Sequence, residues 1–93
     1  MHDDRDEREA RRRRREAQER RLDEERIDML LAAARTLVPD LGVEVPLSRL
    51  AVHAGLSRRA AAALFDTTAE VAAALVRATW RRLAEVMADP AAA

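Results

Sequence analysis

The sequence predicts an all-α fold, a small helical bundle with a long charged N-terminal helix, a helix-turn-helix and a long last helix. Three observations predict it. The first 26 residues are nearly all charged and lack glycine and proline, so they form either a helix or a disordered segment. Further along, apolar residues recur at spacings of three and four, the period of an amphipathic helix. Prolines and glycines stand next to these segments, where helices begin and end.

The first segment, residues 1–25, is a charged helical or disordered extension. Acids precede arginines by four residues, the better orientation for ion pairs along a helix, at Asp4 and Arg8, Glu7 and Arg11, Glu9 and Arg13, and Glu16 and Arg20. Each such pair contributes a few tenths of a kcal/mol at most. We therefore expect a solvated helix that continues into the next segment, with disorder as the alternative.

The domain proper is expected over residues 26–88, followed by a tail over 89–93. Its first helix is amphipathic and ends at Pro39, with the apolar positions Ile27, Leu30, Leu31, Ala34 and Val38. A short second helix follows, with Pro46 in its first turn and Gly55 as its C-terminal cap. Ser57 then caps a third helix from Arg58 to about Phe65.

Two short helices joined by a tight turn that contains glycine form a helix-turn-helix pattern. The last helix begins at the sequence "TTAE", where Thr67 and Glu70 have the spacing of a capping box, and it runs through Met87. Leu56 in the turn is expected to pack on the core. Ala54 is small where two helices cross closely, and Gly55 can adopt the positive φ that the turn needs.

Composition excludes several kinds of chemistry. At 93 residues the chain forms one domain that buries a modest share of its surface, so its stability is limited and a partner surface would add to it. It contains no cysteine, which excludes disulfides, thiolate metal sites and cysteine nucleophiles. His2 and His53 lie far apart in sequence and make a poor metal pair. We expect no cofactor and no metal.

Charge and hydropathy limit the partners further. The chain has 17 basic and 17 acidic residues, so any electrostatic function must be local. All the basic residues are arginines, which suit bidentate phosphate contacts, although the 21 alanines favour codon bias in a GC-rich genome as the explanation. The apolar runs are far shorter than the roughly 20 residues of a membrane span, and the acidic N-terminus does not resemble a signal peptide. We therefore expect no membrane partner and a cytoplasmic location.

Residues 26 to about 76 resemble the DNA-binding domain of the TetR family of bacterial transcriptional regulators. The segments "RIDMLLAAARTLV", "PLSRLAVHAGLS" and "RRAAAALF" look like the first helix, the second helix with its turn, and the recognition helix. The matching positions are Arg26, Ile27, Leu30, Ala33, Ala34, Leu37, Gly42, Leu50, Ala51, Ala54, Gly55, Leu56, Ser57 and Phe65. The resemblance implies a protein that binds double-stranded DNA.

The sequence departs from the family at several contact positions. The family's recognition helix has a small residue, a threonine and a tyrosine, and a lysine beyond the phenylalanine contacts phosphate. This sequence has Arg59, Ala60, Ala62 and Thr68 at those positions. Because alanine offers no polar group, roughly two phosphate contacts per subunit should be missing, which weakens the affinity and its salt dependence. The family's C-terminal ligand-binding and dimerisation domain has no counterpart here, so no small-molecule ligand is expected.

The candidate DNA contacts follow from this alignment. Four positions are expected to face the major groove: Arg58, Arg59, Ala60 and Ala61. Four others are expected near the DNA backbone: Arg49, His53, Ser57 and Thr68. The amides at the start of the third helix also favour phosphate. The alternative is that the arginines are solvated surface residues and that His53 is a surface or helix-terminal residue.

Two further features have open interpretations. The run "RRRRR", residues 11–15, is either a basic arm that contacts DNA or part of a solvated helix, since residues 1–26 contain ten arginines and ten acids. On the last helix Val76, Trp80, Leu83 and Met87 form one apolar stripe. If this stripe is exposed, it predicts a homodimer or a complex with another regulator. The alternative is that helix 1 and the extension cover it within one chain.

The leading hypothesis is a DNA-binding transcriptional regulator of TetR type without a ligand-binding domain. The alternative is a degenerate helix-turn-helix that acts as a protein-interaction or dimerisation module and sequesters a regulator, which the alanine run favours. A fragment or decayed paralogue without separate function is a third possibility. An enzyme is not expected, because the sequence has no nucleophile paired with a base, no convergent acid pair and no phosphate-binding glycine loop.

Overall fold

The computed structural model describes residues 3–89 and residue 91. Within these residues the fold is all-α, without strands, as the sequence predicts. The four helices are α1 (Asp4–Leu41), α2 (Leu47–Ala54), α3 (Arg58–Ala62) and α4 (Thr68–Ala88). His2 and most of the expected tail lie outside the described residues.

Helix α1 has 38 residues, so the charged extension and the first amphipathic helix form one continuous element. Its N-terminus is capped by Asp3, whose carboxylate accepts a hydrogen bond of 2.9 Å from the Arg5 backbone N–H. Three acids in the first turn complement the positive end of the helix dipole. The helical alternative for the extension is therefore the one adopted.

The expectation that Pro39 ends the first helix is wrong, because α1 continues to Leu41. Proline lacks the amide that would bond to the carbonyl four residues earlier, but its fixed φ is compatible with a helix. Leu37 and Val38 pack against the core, and the Gly42 N–H bonds to the Val38 carbonyl at 2.7 Å. Two more residues are held in the helix by these interactions.

The core lies between the second half of α1 and the other three helices. No residue from Asp3 to Met29 is buried, whereas Leu30 is fully buried. The other buried apolar side chains are Ala33, Ala34, Val45, Leu50, Ala51, Ala61 and Val71. The radius of gyration is 17.9 Å, against about 12 Å for a compact domain of this length, because the first half of α1 projects from the bundle.

The turn between α2 and α3 forms as the sequence predicts. Gly55 has φ 76° and ψ 23°, the left-handed conformation. The Gly55 N–H bonds to the Val52 carbonyl at 3.1 Å and the Leu56 N–H bonds to the Ala51 carbonyl at 2.8 Å, which is the Schellman arrangement. Leu56 packs against the core, also as predicted. Helices α2 and α3 with this turn therefore form a helix-turn-helix.

Helix α3 is shorter than predicted, because it ends at Ala62 and not near Phe65. Leu64 and Phe65 turn inward and pack against the core. The last turn closes with hydrogen bonds of 3.0 Å from the Leu64 and Phe65 amides to the Ala61 carbonyl. The aromatic ring therefore anchors the end of the turn and does not extend the helix.

Helix α4 begins with the predicted pair of Thr67 and Glu70. The Glu70 N–H donates to the Thr67 hydroxyl at 3.2 Å. The Glu70 carboxylate reaches one residue further back than in a standard capping box and accepts from the Asp66 N–H at 2.7 Å. These two bonds fix the start of α4. Helix α4 packs against α1, and residues of both helices, among them Asp28 and Arg82, line a groove between them.

Replacing Gly42 with alanine is expected to destabilise the protein by about 2 kcal/mol, against about 1 kcal/mol for Gly55→Ala. Gly42 has φ 80° and ψ 174°, a region that is almost exclusive to glycine, whereas Gly55 lies in the left-handed region that asparagine also tolerates. An added Cβ meets no atom within 4 Å at either position, so both costs come from backbone conformation. Urea unfolding of the two variants measures them, and a larger loss at Gly55 would contradict this ranking.

Candidate nucleic-acid interface

The exposed surface of the helix-turn-helix is basic. Arg58 and Arg59 are exposed in the first turn of α3, and Arg49 is exposed on α2. In the part of the chain that the structure describes, no hydrogen bond or ion pair engages these three side chains. Between Glu44 and Asp66 the sequence contains no acidic residue. A local charge of three arginines therefore faces solvent without compensation from the neighbouring sequence.

Ser57 has the structural role that the sequence predicts. It is exposed, and its hydroxyl oxygen accepts a hydrogen bond of 3.0 Å from the Ala60 N–H, which caps α3. The hydroxyl hydrogen remains available to donate to another acceptor. Ser57 therefore both fixes the start of α3 and offers one donor beside Arg58.

The alanine run of α3 has an inner and an outer side. Ala61 is fully buried, so the prediction that it faces a DNA groove is wrong. The reason is the core contact that Ala61 shares with Leu64 and Phe65. Ala60 is half-buried and Ala62 is exposed. Ala62, which stands where the family has a tyrosine, therefore lies on the outer side, where Ala61 was expected.

Thr68 is also placed differently from the prediction. It is buried, and its hydroxyl donates a hydrogen bond to the Val45 carbonyl. A side chain that is engaged in the core cannot contact a DNA phosphate, so this candidate contact is wrong. The bond instead ties the start of α4 to the loop between α1 and α2. The exposed neighbour is Thr67, whose hydroxyl oxygen caps α4.

His53 is exposed on α2, and it lines a shallow groove between α1 and α2 together with Met29, Ala33 and Thr36. The groove places His53 beside α1. Of the residues predicted to lie near the DNA backbone, Arg49 and Ser57 are exposed on the helix-turn-helix, His53 lies at its α1 side, and Thr68 is internal.

A second basic surface, which was not among the predicted sites, lies on the projecting half of α1. Arg5, Arg8, Arg12 and Arg15 follow one another at spacings of three and four, so they share one face of the helix. Arg8, Arg12 and Arg15 line one shallow surface depression with Arg11. The run at residues 11–15 is therefore distributed around the helix, and the spacing of the neighbouring arginines is the signal that locates the face.

The predicted apolar stripe of α4 is exposed to solvent. Its members are 54% (Val76), 64% (Trp80), 44% (Leu83) and 78% (Met87) exposed. The opposite side of α4 contributes Val71 and Leu75 to the core. Neither the second half of α1 nor the extension covers the stripe. The alternative in which the stripe is buried within one chain therefore does not hold for the described residues.

Among the described residues, no group of three histidine, cysteine, aspartate or glutamate side chains is placed to hold a metal ion. None of the described helices has the length and apolar composition that a transmembrane segment needs. The fold and surface thus define a small all-α protein with a helix-turn-helix. No protein-family model, curated protein or solved structure matches this chain.

Proposed function

We propose that this protein binds double-stranded DNA through its helix-turn-helix and acts as a non-catalytic transcriptional regulator of TetR type. The observation that supports this most is the exposed, unpaired pair Arg58 and Arg59 at the start of α3. In helix-turn-helix proteins the N-terminal residues of the second helix contact base edges in the major groove. A paired arrangement of arginines suits both the phosphate backbone and the O6 and N7 atoms of guanine.

The affinity of this surface should be modest. Arg49, Arg58 and Arg59 supply three cationic side chains, and Ser57 supplies one hydroxyl donor. On B-DNA each neutralised phosphate contributes about −0.9 to the slope of log K against log salt, so three contacts give a slope near −3 per protomer. Binding is therefore expected to be measurable at about 50 mM salt and to weaken steeply toward about 200 mM.

The test is binding of the full chain to labelled random and upstream genomic duplexes over that salt range, measured by fluorescence anisotropy. The double variant Arg58→Ala, Arg59→Ala is expected to bind at least about 10-fold more weakly and to reduce the salt slope by about 2. Both side chains are exposed, so circular dichroism should show unchanged helix content.

The matched control is Arg20→Ala, Arg21→Ala, which removes another adjacent pair of exposed arginines, on α1. It makes the same change in net charge and should leave both affinity and slope unchanged. Equal losses in the two double variants would mean that binding depends on net charge and not on α3. Absence of binding by folded wild-type protein at about 50 mM salt would reject the proposal.

A second candidate function is a protein-interaction module that sequesters a regulator. The observation that favours it is the outer side of α3, where Ala62 and Ala63 are exposed and offer no polar group for base contacts. The exposed α4 stripe also favours this candidate, because it offers an apolar surface to another protein. This candidate predicts that folded protein fails to bind any duplex while it forms a stable complex with a second protein.

A further inference from the structure

The α4 stripe, defined as Val76, Trp80, Leu83 and Met87, has the geometry of a helix-pairing seam. Its members are separated by four, three and four residues, the alternation of a and d positions in a coiled coil. Over these 12 residues the helix rises roughly 17 Å, so the seam covers nearly two heptads. All four side chains are apolar and exposed, and they lie on one side of a regular helix.

The positions that flank the seam carry little charge. In the same heptad alignment the flanking positions beside the seam hold Arg77, Thr79, Ala84 and Val86. Arg81, Arg82 and Glu85 fall at outer positions of the alignment. A second helix can therefore approach the seam without burying an unpaired charge apart from the flexible Arg77 side chain, whose guanidinium can remain in water.

We propose that two copies of this chain associate through the stripe, α4 against α4, in a two-fold symmetric dimer. A two-fold interface uses the same patch on both subunits. The stripe is a row of apolar side chains with no charged residue among them, so the stripe of one copy can pack against the stripe of another. From the exposed fractions of its side chains, full burial of the stripe removes roughly 500 Å² of accessible surface from each copy. The two copies together therefore bury about 1,000 Å², which is the lower limit for a specific interface. Interfaces of that size are at the weak, transient end of the range, so we expect a dissociation constant on the order of micromolar or weaker.

This association does not depend on DNA binding, because none of the stripe residues belongs to the helix-turn-helix. Trp80 is the only tryptophan in the chain, so its emission reports on the seam alone. Burial of a side chain that is two-thirds exposed in one copy should shift that emission to shorter wavelength as the concentration rises. The same samples give the molar mass by sedimentation or light scattering.

The experiment compares the full chain with Val76→Glu, Leu83→Glu and the control Val52→Glu at about 1 to 200 µM, without DNA. Val52 is 79% exposed on α2, so the control places the same charge at an exposed valine outside the seam. We expect a concentration-dependent dimer with a blue shift of Trp80 for the wild type and for Val52→Glu. Each seam variant should keep its helical circular dichroism and raise the dissociation constant by at least about 100-fold.

Two results would overturn the proposal. The first is a wild-type chain that stays monomeric over the whole range, which would leave the stripe to a different protein. The second is a dimer that persists with the same affinity in both seam variants, which would place the interface elsewhere. Because both seam positions are exposed, neither glutamate needs to be buried in a single copy, so loss of folding does not obscure the comparison.

Discussion

Replacing Leu30 with alanine is expected to remove about half or more of the free energy of unfolding of this domain. Leu30 is one of three large side chains, with Leu50 and Val71, that are fully buried. Deleting a buried leucine side chain beyond Cβ costs about 2 to 5 kcal/mol. A domain of this size has a total stability of roughly 5 to 10 kcal/mol, and a core with so few large residues places it toward the lower end.

The measurement is thermal or urea unfolding followed by circular dichroism, where the midpoint temperature should fall by roughly 10 to 30 °C. The matched control is Leu22→Ala, the same substitution on the same helix. Leu22 is 42% exposed and lies in the projecting half of α1, so the loss should be below about 1 kcal/mol. Similar losses in both variants would mean that the extension packs against the domain and does not project from it.

The second large effect is expected at Ala61, where an arginine should cost about 3 to 5 kcal/mol. Ala61 is fully buried on the side of α3 that faces the core. An arginine there either buries a charge without a partner or forces α3 away from α1. The neighbouring substitution Ala62→Arg adds the same side chain at an exposed position. We expect a change in stability within about 0.5 kcal/mol there.

This pair of variants tests both the orientation of α3 and its proposed function. If the helix-turn-helix binds DNA, Ala62→Arg places an additional cation on the outer side of α3 and should steepen the salt slope by about 1. Equal destabilisation by the two variants would contradict the orientation. An Ala62→Arg protein that is stable and binds DNA no more tightly than the wild type would place this side of α3 away from the duplex.

The DNA-binding and association experiments together separate the candidate functions. A dimer that binds duplex DNA through Arg58 and Arg59, and so presents two helix-turn-helix units, is the result that the regulator hypothesis predicts. In such a dimer the two units must reach half-sites separated by about 34 Å or a multiple of it, since that is one turn of DNA. A folded chain that binds no duplex and forms a stable complex with a second protein is instead the result that the interaction-module hypothesis predicts.

The sequence alone was sufficient for most of the helix boundaries, because local interactions set them. Ser57 and Thr67 cap the helices that follow them, and Gly55 ends α2 in the left-handed conformation, all as predicted. Each of these signals depends on residues no more than five positions apart, so none of them needs a contact between distant segments. The α4 stripe was equally visible, because its large apolar side chains mark one side of the helix unambiguously.

The tertiary structure decided which side of α3 faces the core and where α1 and α3 end. Ala60 to Ala63 are four identical residues, so no difference in hydrophobicity indicates that Ala61 is buried and Ala62 exposed. The adjacent threonines present the same ambiguity, and a hydrogen bond to Val45, 23 residues away, selects Thr68 for the interior. Pro39 remains within α1 because its neighbours pack on the core. Packing between distant segments supplies the free energy for these choices, and a local pattern of identical or similar residues does not encode it.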